Sequence, residues 1–492
     1  MSNLSRRASE SLDIIVIGGA TAGLACAYAM QVAGHKVRVL EKACGPRTHA
    51  AGGDLSPPNM TRILDRWGLS AYLSRVAPKL RGVHFKMSTN GETMRTSLFP
   101  EDIMRGFGAE YVFLAYSDLL GALYDLASKA GVVFQYKATV VSIDPEKASA
   151  QLASGEVIEG DLLIAADGVH SLARSLISQS IPYGSYGRLH HFCQASSSIS
   201  ADIIRENIEL APLFNSTELN IWMGDGYGIT GYPIVSDGEV RINRSDVFRH
   251  GGLNNAQEEE ISIHATGLKL HELDVRLRAL VSLPKVLIKR VYVPQGPLGN
   301  LVHESGKVIL VGGAAHPLPA HWTQSTAIAI EDAATLEILF SHLSSRDQLP
   351  ALVSAFEEIR LPRSKSVVES EIPKLEAVVL NHSGTRAMQA ARADPHLSTA
   401  SSKPLTGWDS DLEDTLRAEW EELIAMFDYD ASEMAEDWWV TWGALMRSRM
   451  EDDSLGNATE KTVVTRQPSV TQRTLHQAIP AVGDAHSSSQ DR

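Results

Sequence analysis

Cysteine is scarce in this chain of 492 residues: Cys26, Cys44 and Cys193 are too few and too scattered for a disulfide framework or a zinc site. A reducing compartment is the default that follows. No apolar run approaches the length of about 18 residues that a membrane-spanning helix needs. The N-terminal stretch Ser5-Arg-Arg-Ala-Ser-Glu10 carries charge but no apolar core ahead of the first strand, so no signal peptide is expected and the location expected is cytoplasmic. Positive charge is also in deficit. With 45 basic against 59 acidic residues the net charge is −14, which argues against nucleic acid or a membrane surface as the main partner. Internal repeats are absent, and no metal site is expected. What remains, at 44% apolar and 21% charged, is an ordinary globular composition in a chain long enough for more than one domain.

The most informative stretch is Asp13-Ile-Ile-Val-Ile-Gly-Gly-Ala-Thr-Ala-Gly23. Ile14 to Ile17 form the β-branched run that a buried parallel strand requires. Gly18, Gly19 and Gly23 turn the chain tightly into an alanine-rich helix from Leu24 to Val32, whose first-turn N–H groups and dipole suit a pyrophosphate. Gly34 ends that helix, Lys36 to Leu40 read as the second strand, and Glu41 closes it with a carboxylate placed to accept hydrogen bonds from an adenosine ribose. Strand, turn, helix and an acid about 20 positions on make up the dinucleotide-binding fingerprint in its proper context. One departure is visible, since the middle glycine of the fingerprint is Ala20.

Further along, Ala51-Gly-Gly-Asp-Leu-Ser-Pro-Pro-Asn59 reads as a loop rich in turn formers, followed by an amphipathic helix to Trp67 with Gly68 as its C-cap. Residues 81–98 read as a strand pair turning at Asn90-Gly91. Ser117 to Gly131 is a long apolar helix, Val132 to Ser142 a returning strand, and Gly160 to Asp167 another buried strand. From about 184 to 290 strand-like pieces dominate (Glu218 to Met223, Tyr227 to Ile234, Glu239 to Asn243), separated by turns at Gly224-Asp-Gly226 and Ser236-Asp-Gly238. Lys307 to Val311 returns to the parallel-strand type and leads into a helix through Glu331 and Leu336. Residues 350–380 and 410–450 are mainly helical. The expected fold is α/β: a Rossmann-like dinucleotide-binding domain, discontinuous over 12–85, 107–183 and 290–380, with an inserted antiparallel β-sheet domain at 86–106 and 184–289. A C-terminal helical region at 381–450 and a disordered tail at 451–492 follow.

Three separated segments carry a resemblance. They are the Gly18–Gly23 turn with Glu41, the run Ala165-Ala-Asp-Gly-Val-His-Ser-Leu-Ala-Arg174, and Leu310-Val-Gly-Gly-Ala-Ala-His-Pro317 continuing to Glu331-Asp332-Ala333. Together they resemble the single-component, class A FAD-dependent aromatic monooxygenases, and most closely the salicylate-hydroxylase-like branch common in fungal secondary metabolism. Pro57 to Leu69, Trp222-Met-Gly with Tyr232-Pro-Ile234, and Phe427-Asp-Tyr-Asp430 fit the same branch. The resemblance implies FAD as cofactor, NAD(P)H as co-substrate, and O₂ with a small aromatic molecule as the other partners. It also implies oxygen transfer from a flavin C4a-hydroperoxide.

The resemblance assigns residues as well. Gly18, Gly19, Gly23 and Glu41 hold the dinucleotide, and Gly52 and Gly53 lie along it. Asp167, Gly168 and Arg174 lie near the pyrophosphate and help receive the nicotinamide cofactor. The loop Pro317 to Thr326 passes the flavin ring, where main-chain N–H groups around Gln324, Ser325 and Thr326 stabilise charge on its reduced form. Tyr232, at the end of a strand matching the substrate wall, is the candidate for handling a phenolic proton. His190, His191 and His316 are possible acid/base groups, and His321-Trp322 a possible aromatic wall.

Three positions depart from the family pattern. Gly313 stands where an aspartate usually binds the ribityl chain, Tyr116 where an arginine is usual, and Thr323-Gln-Ser325 replaces Gly-Gln-Gly. These departures weaken the case for tight flavin retention rather than for the fold. Gly313 and Tyr116 motivate one rival, a non-catalytic relative; a flavin-dependent halogenase on the same scaffold is the other. Against the halogenase, Trp222-Met-Gly-Asp-Gly lacks the Trp-x-Trp-x-Ile-Pro signature of that class.

Overall fold

The β-branched run forms the centre of a five-stranded parallel sheet with strands in the order Val308–Leu310, Leu162–Ala165, Asp13–Ile17, Lys36–Leu40, Val133–Gln135. The structure, a computed structural model, describes residues 6–46, 53–177, 191–214, 217–236, 239–250, 259–292, 298–318, 323–379 and 410–443. The expectations for Gly52, His190, His321, Trp322, residues 381–409 and the tail from 451 lie outside the described residues. Ile14 to Ile17 and Leu162 to Ala165 are buried, as parallel strands covered on both faces must be. Helix Thr21–Val32 covers one face and gives way to Gly34 at φ 112, a left-handed conformation that returns the chain to the sheet. Helix Ala327–Ser341 packs on it and is buried almost all round, which its Ala- and Ile-rich composition permits.

The inserted sheet has eight strands in the order Glu259–Ile261, Leu287–Tyr292, His191–Ser200, Glu239–His250, Tyr227–Ser236, Glu218–Gly224, Gly82–Met87, Thr93–Leu98. It is not wholly antiparallel: Glu218–Gly224 runs parallel to Gly82–Met87, because a long excursion of chain separates the two. Gly82–Met87 and Leu287–Tyr292 belong to this sheet by hydrogen bonding, so each straddles a domain boundary expected at 85/86 or 289/290.

Two local expectations are corrected. The single strand expected over Val132 to Ser142 is two, Val133–Gln135 in the nucleotide sheet and Val140–Asp144 in a separate three-stranded sheet. Lys137 at φ 55 redirects the chain between them. The loop expected from Ala51 to Asn59 contains a strand, Gly53–Ser56, paired antiparallel with Val112–Ala115. Burial of Leu55 beside Phe113 outweighs the turn-forming composition.

Alternation along Glu218–Gly224 decides what each face of the large sheet meets. Leu219, Ile221 and Met223 share an inner core with Tyr232, Ile234, Val367 and Ile372. Trp222 points the other way, into a core with Leu277 and Leu280 of helix Val275–Ser282. The long helix Leu349–Val379 serves both halves: Val353 and Phe356 sit in the nucleotide-domain core, Val367 and Ile372 on the inner face of the sheet. Helices Ser410–Phe427 and Ala431–Trp438 follow as the helical C-terminal region. These elements belong to the unit Met1–Thr441. Among the described residues no helix is long and apolar enough to cross a membrane.

Candidate functional site

Close glycine contacts bring the three signature segments together. Gly18, at φ 102, lies so near the second segment that a Cβ there would stand 2.5 Å from the Ala166 carbonyl oxygen. A Cβ on Gly312, at φ 56, would meet Ala22 of the first helix at 2.4 Å, and Gly313 faces Gly168. Gly23 has no room at all, since a Cβ would fall 1.8 Å from the Gly18 carbonyl oxygen. Backbone approach this close explains the glycines at 18, 23 and 312, whereas Gly168 of the second segment is called for by its left-handed φ of 79.

The turn is fixed from below by Glu41. Its Oε2 accepts the Gly19 N–H at 2.7 Å and its Oε1 the Ala43 N–H at 2.8 Å. Above the turn, helix Thr21–Val32 starts at Ala20 without a side-chain cap and with no acid in its first turn. Uncapped first-turn N–H groups beside glycines are what a pyrophosphate requires. One further observation fits a bound dinucleotide: Asp167 Oδ1 is buried without a hydrogen-bond partner, while its Oδ2 accepts the Leu172 N–H at 2.8 Å. These residues fit FAD.

The other site candidates fall as follows. Tyr116 begins helix Tyr116–Ala130, and its hydroxyl accepts a hydrogen bond from Thr21 at 3.1 Å, beside the start of the dinucleotide helix. Arg174 is buried, and Nη1 donates to the Ala314 and Ala315 carbonyls at 2.9 and 3.0 Å, tying the second segment to the third. Gly313 departs from its neighbours: the nearest atom to a Cβ there would be 3.5 Å away, so a side chain fits. Gly53 opens the strand paired with Val112–Ala115. Tyr232 is buried on the inner face of the large sheet and stacks on Phe113, with ring centroids 4.8 Å apart at 12°. His316 is buried against Asp332, and His191 lies in the strand His191–Ser200.

The turn Thr323–Thr326 joins the two halves. Of the three N–H groups expected there, that of Gln324 is engaged within the protein. Gln324 N–H points to Glu371 Oε2 at 3.3 Å, because that buried carboxyl group is carried across by the long helix. Burial pushes the Glu371 carboxyl up, with Lys374 only partly opposing it. Thr326 is the N-cap residue of helix Ala327–Ser341, and its hydroxyl bonds to Asp54. Tyr111 is buried beside this turn and hydrogen-bonds Thr323; burial raises its phenol well above the usual range.

Sequence reasoning missed the polar network behind the turn. Arg360 donates to Asp332 at 2.8 Å and to Glu331 at 2.9 Å, and Arg363 meets both oxygens of Glu331 at 3.1 and 2.8 Å. Asn59 bridges Glu331 at 2.7 Å and the Gln324 side chain at 2.9 Å. Burial alone would raise Glu331 and Asp332; Arg363 and Arg360 on the first, and His316 and Arg360 on the second, hold both below the ordinary carboxylate range. A signal existed. Two adjacent acids inside a predominantly apolar helix demand buried cations, and Arg360 and Arg363 stand one turn apart in the next helix.

Residues 11–192 match the family described as FAD binding domain. The chain is 27% identical over 377 residues to FAD-dependent monooxygenase OpS4 of Beauveria bassiana, covering 74% of this chain and 84% of that one. It is 26% identical over 361 residues to 3-amino-4-hydroxybenzoate 2-monooxygenase PtmB3 of Streptomyces platensis, covering 72% and 85%. Among solved structures, CtdE with FAD and substrate superposes with a TM-score of 0.69 at 18% identity, covering 89% of this chain and all (100%) of that one. A salicylate hydroxylase substrate complex gives 0.64 at 17%, covering 87% and 97%. The structural likeness is one of fold.

Proposed function

The chain belongs to the class A FAD-dependent monooxygenases, and we propose that it uses NAD(P)H and O₂ to hydroxylate a small aromatic, phenol-bearing molecule. The observation that carries this reading is the position of the turn Thr323–Thr326. Its Thr323 is bonded by Tyr111, which shares a core with the stacked pair Phe113 and Tyr232, and the helix it opens brings Ala329 against Gly312 of the converging glycine segments. Support for an aromatic substrate comes from the relatives: by its name, one acts on a hydroxybenzoate, and salicylate hydroxylase shares the fold.

In this reading the dinucleotide's pyrophosphate lies over Gly18–Gly23 at the helix start, with Glu41 meeting the ribose while it holds the turn through Gly19. Bound FAD supplies the hydride acceptance and O₂ activation, which no side chain can provide. The protein's part is to exclude water, orient the ring and manage a proton. Leu219, Ile221 and Met223 keep the inner face dry. Tyr232 presents a phenol to share the substrate's phenolic proton, which raises electron density on the ring to be attacked.

The test is spectroscopic and then chemical. Purified protein supplied with FAD should show a bound-flavin spectrum that NADPH bleaches faster when a hydroxybenzoate is present, and the product should gain one oxygen atom. Flavin that binds and turns over NADPH across a panel of phenols, releasing only hydrogen peroxide, would overturn the proposal.

A further inference from the structure

Among the ionisable groups that this reading leaves unused, Asp54 has the most telling surroundings. It lies in the strand Gly53–Ser56 directly opposite Leu114, so the two share one face of the ribbon, while Leu55 and Phe113 share the other. Leu55 and Phe113 belong to the core of the large sheet; Leu114 belongs to the core of the nucleotide domain. Asp54 is therefore turned toward the nucleotide half, where its Oδ2 bonds the Thr326 hydroxyl while Oδ1 takes the Leu55 N–H at 2.9 Å.

Burial pushes the Asp54 carboxyl up to about 6, against the opposing pull of Thr326 and the Leu55 N–H. The ionisable groups that face this region from the packed elements are Tyr111, whose phenol feels both Asp54 and Glu371, and Glu371 itself with Lys374 beside it on the long helix. No arginine or lysine pairs directly with Asp54 among the described residues. A threonine hydroxyl carries a single hydrogen. When Asp54 is ionised it can only accept, so Thr326 spends that hydrogen on Asp54. When Asp54 holds a proton it donates to Thr326 Oγ1, and the Thr326 hydrogen is released toward another acceptor.

We propose that Asp54 is a positioning residue that sets the hydrogen-bond polarity of Thr326, so that the turn at the start of helix Ala327–Ser341 offers a hydroxyl donor to the bound flavin ring only while Asp54 is protonated. This rests on the reading that Thr323–Thr326 borders that ring, and it adds a proton-dependent element to it. No covalent step is involved: one proton enters from solvent at Asp54, and one O–H group turns.

The apoprotein tests the first half. Infrared difference spectra taken between about pH 5 and about pH 8 should show carboxylic-acid absorbance that falls as pH rises, and Asp54→Asn should lose a component of it that Glu371→Gln retains. An undiminished band in Asp54→Asn overturns the proposal. With FAD bound, the flavin midpoint potential plotted against pH should show an inflection in the same window that Asp54→Asn and Thr326→Val both remove. Asp54→Asn keeps a donor for Thr326 and has no charge to bury, so it serves as the folded control. Parallel potential curves in all three proteins, with flavin bound, overturn the proposal alone; failure of every one of them to bind FAD overturns the underlying reading with it.

Discussion

His316 Nε2 stands 2.7 Å from Asp332 Oδ2, and both side chains are almost wholly buried. The same oxygen accepts the Gly312 N–H at 2.9 Å, and Oδ1 takes Arg360 Nε at 2.8 Å. One carboxylate thus anchors the glycine loop, the histidine after it and the long helix. Replacing it by a neutral amide leaves Arg360 underpaired in the core. Asp332→Asn is expected to cost about 3–5 kcal/mol, read as a lower midpoint in urea unfolding. A loss under about 1 kcal/mol would mean that the charge does not hold the loop.

The same network fixes the acid response. Glu331 and Asp332 lie below their ordinary values in the folded protein. The folded state therefore binds protons less readily than the unfolded one. Their contribution is complete above about pH 4 and drains away as pH falls through the folded-state values. Urea midpoints should drop steeply below about pH 4 in the wild type and flatten when Glu331 and Arg363 are together replaced by Gln and Met.

Asp54 has the opposite sign. Its folded-state value is raised to about 6, so the native protein holds that proton more tightly than the unfolded chain, and ionising it costs stability as pH rises. Asp54→Asn apoprotein should be more stable than wild type at about pH 8 by up to about 3 kcal/mol, with the gap closing by about pH 4. Equal urea midpoints at the higher pH would show that the buried carboxyl carries no such cost.

Gly313 has space for a side chain and no left-handed φ, unlike Gly312 beside it. Gly313→Asp should fold normally and tighten FAD by one to two decades, as a charge-assisted hydrogen bond of roughly 1.5–3 kcal/mol would. Fluorescence titration of the apoprotein measures this directly; an unchanged dissociation constant would contradict the placement of that loop beside the ribityl chain.

Gly23 and Gly168 make a matched pair of controls. A methyl on Gly23 would collide with the Gly18 carbonyl, whereas Gly168 at φ 79 has open space. Gly168→Ala therefore carries only the conformational cost of a left-handed residue, about 1–2 kcal/mol. Gly23→Ala must shift main chain, so flavin binding should vanish and the thermal midpoint fall further than in Gly168→Ala. The reverse ranking would mean that the turn is looser than these contacts imply.

Where the sequence was legible, a single local rule governed the residue. The run Ile14 to Ile17, Gly34 in its left-handed turn and Gly131 at φ 98 after helix Tyr116–Ala130 each follow from periodicity or glycine chemistry within a few residues. Legibility failed where a distant partner decided the outcome. Gly53–Ser56 is a strand because Val112–Ala115 pairs with it, which no local composition reveals. The Gln324 N–H meets Glu371 because helix Leu349–Val379 crosses behind the turn. The family resemblance pointed to the three glycine segments; Arg360 and Arg363 carry no motif and are signalled only by the adjacent acids Glu331 and Asp332, and Asp54 is marked only by its burial.

The nucleotide sheet is finished by strand Val308–Leu310, and helix Ala327–Ser341 seals the first helix from outside. A ribosome that has delivered only residues 11–192 has made the recognisable cofactor motif without its outer strand or its cover. During synthesis the exposed flank of Leu162–Ala165 must wait for more than a hundred further residues, so the nascent chain should depend on chaperones until that late strand emerges. For the same reason a truncated flavin-binding fragment should prove insoluble, and cofactor capture should be a late event in the life of each molecule.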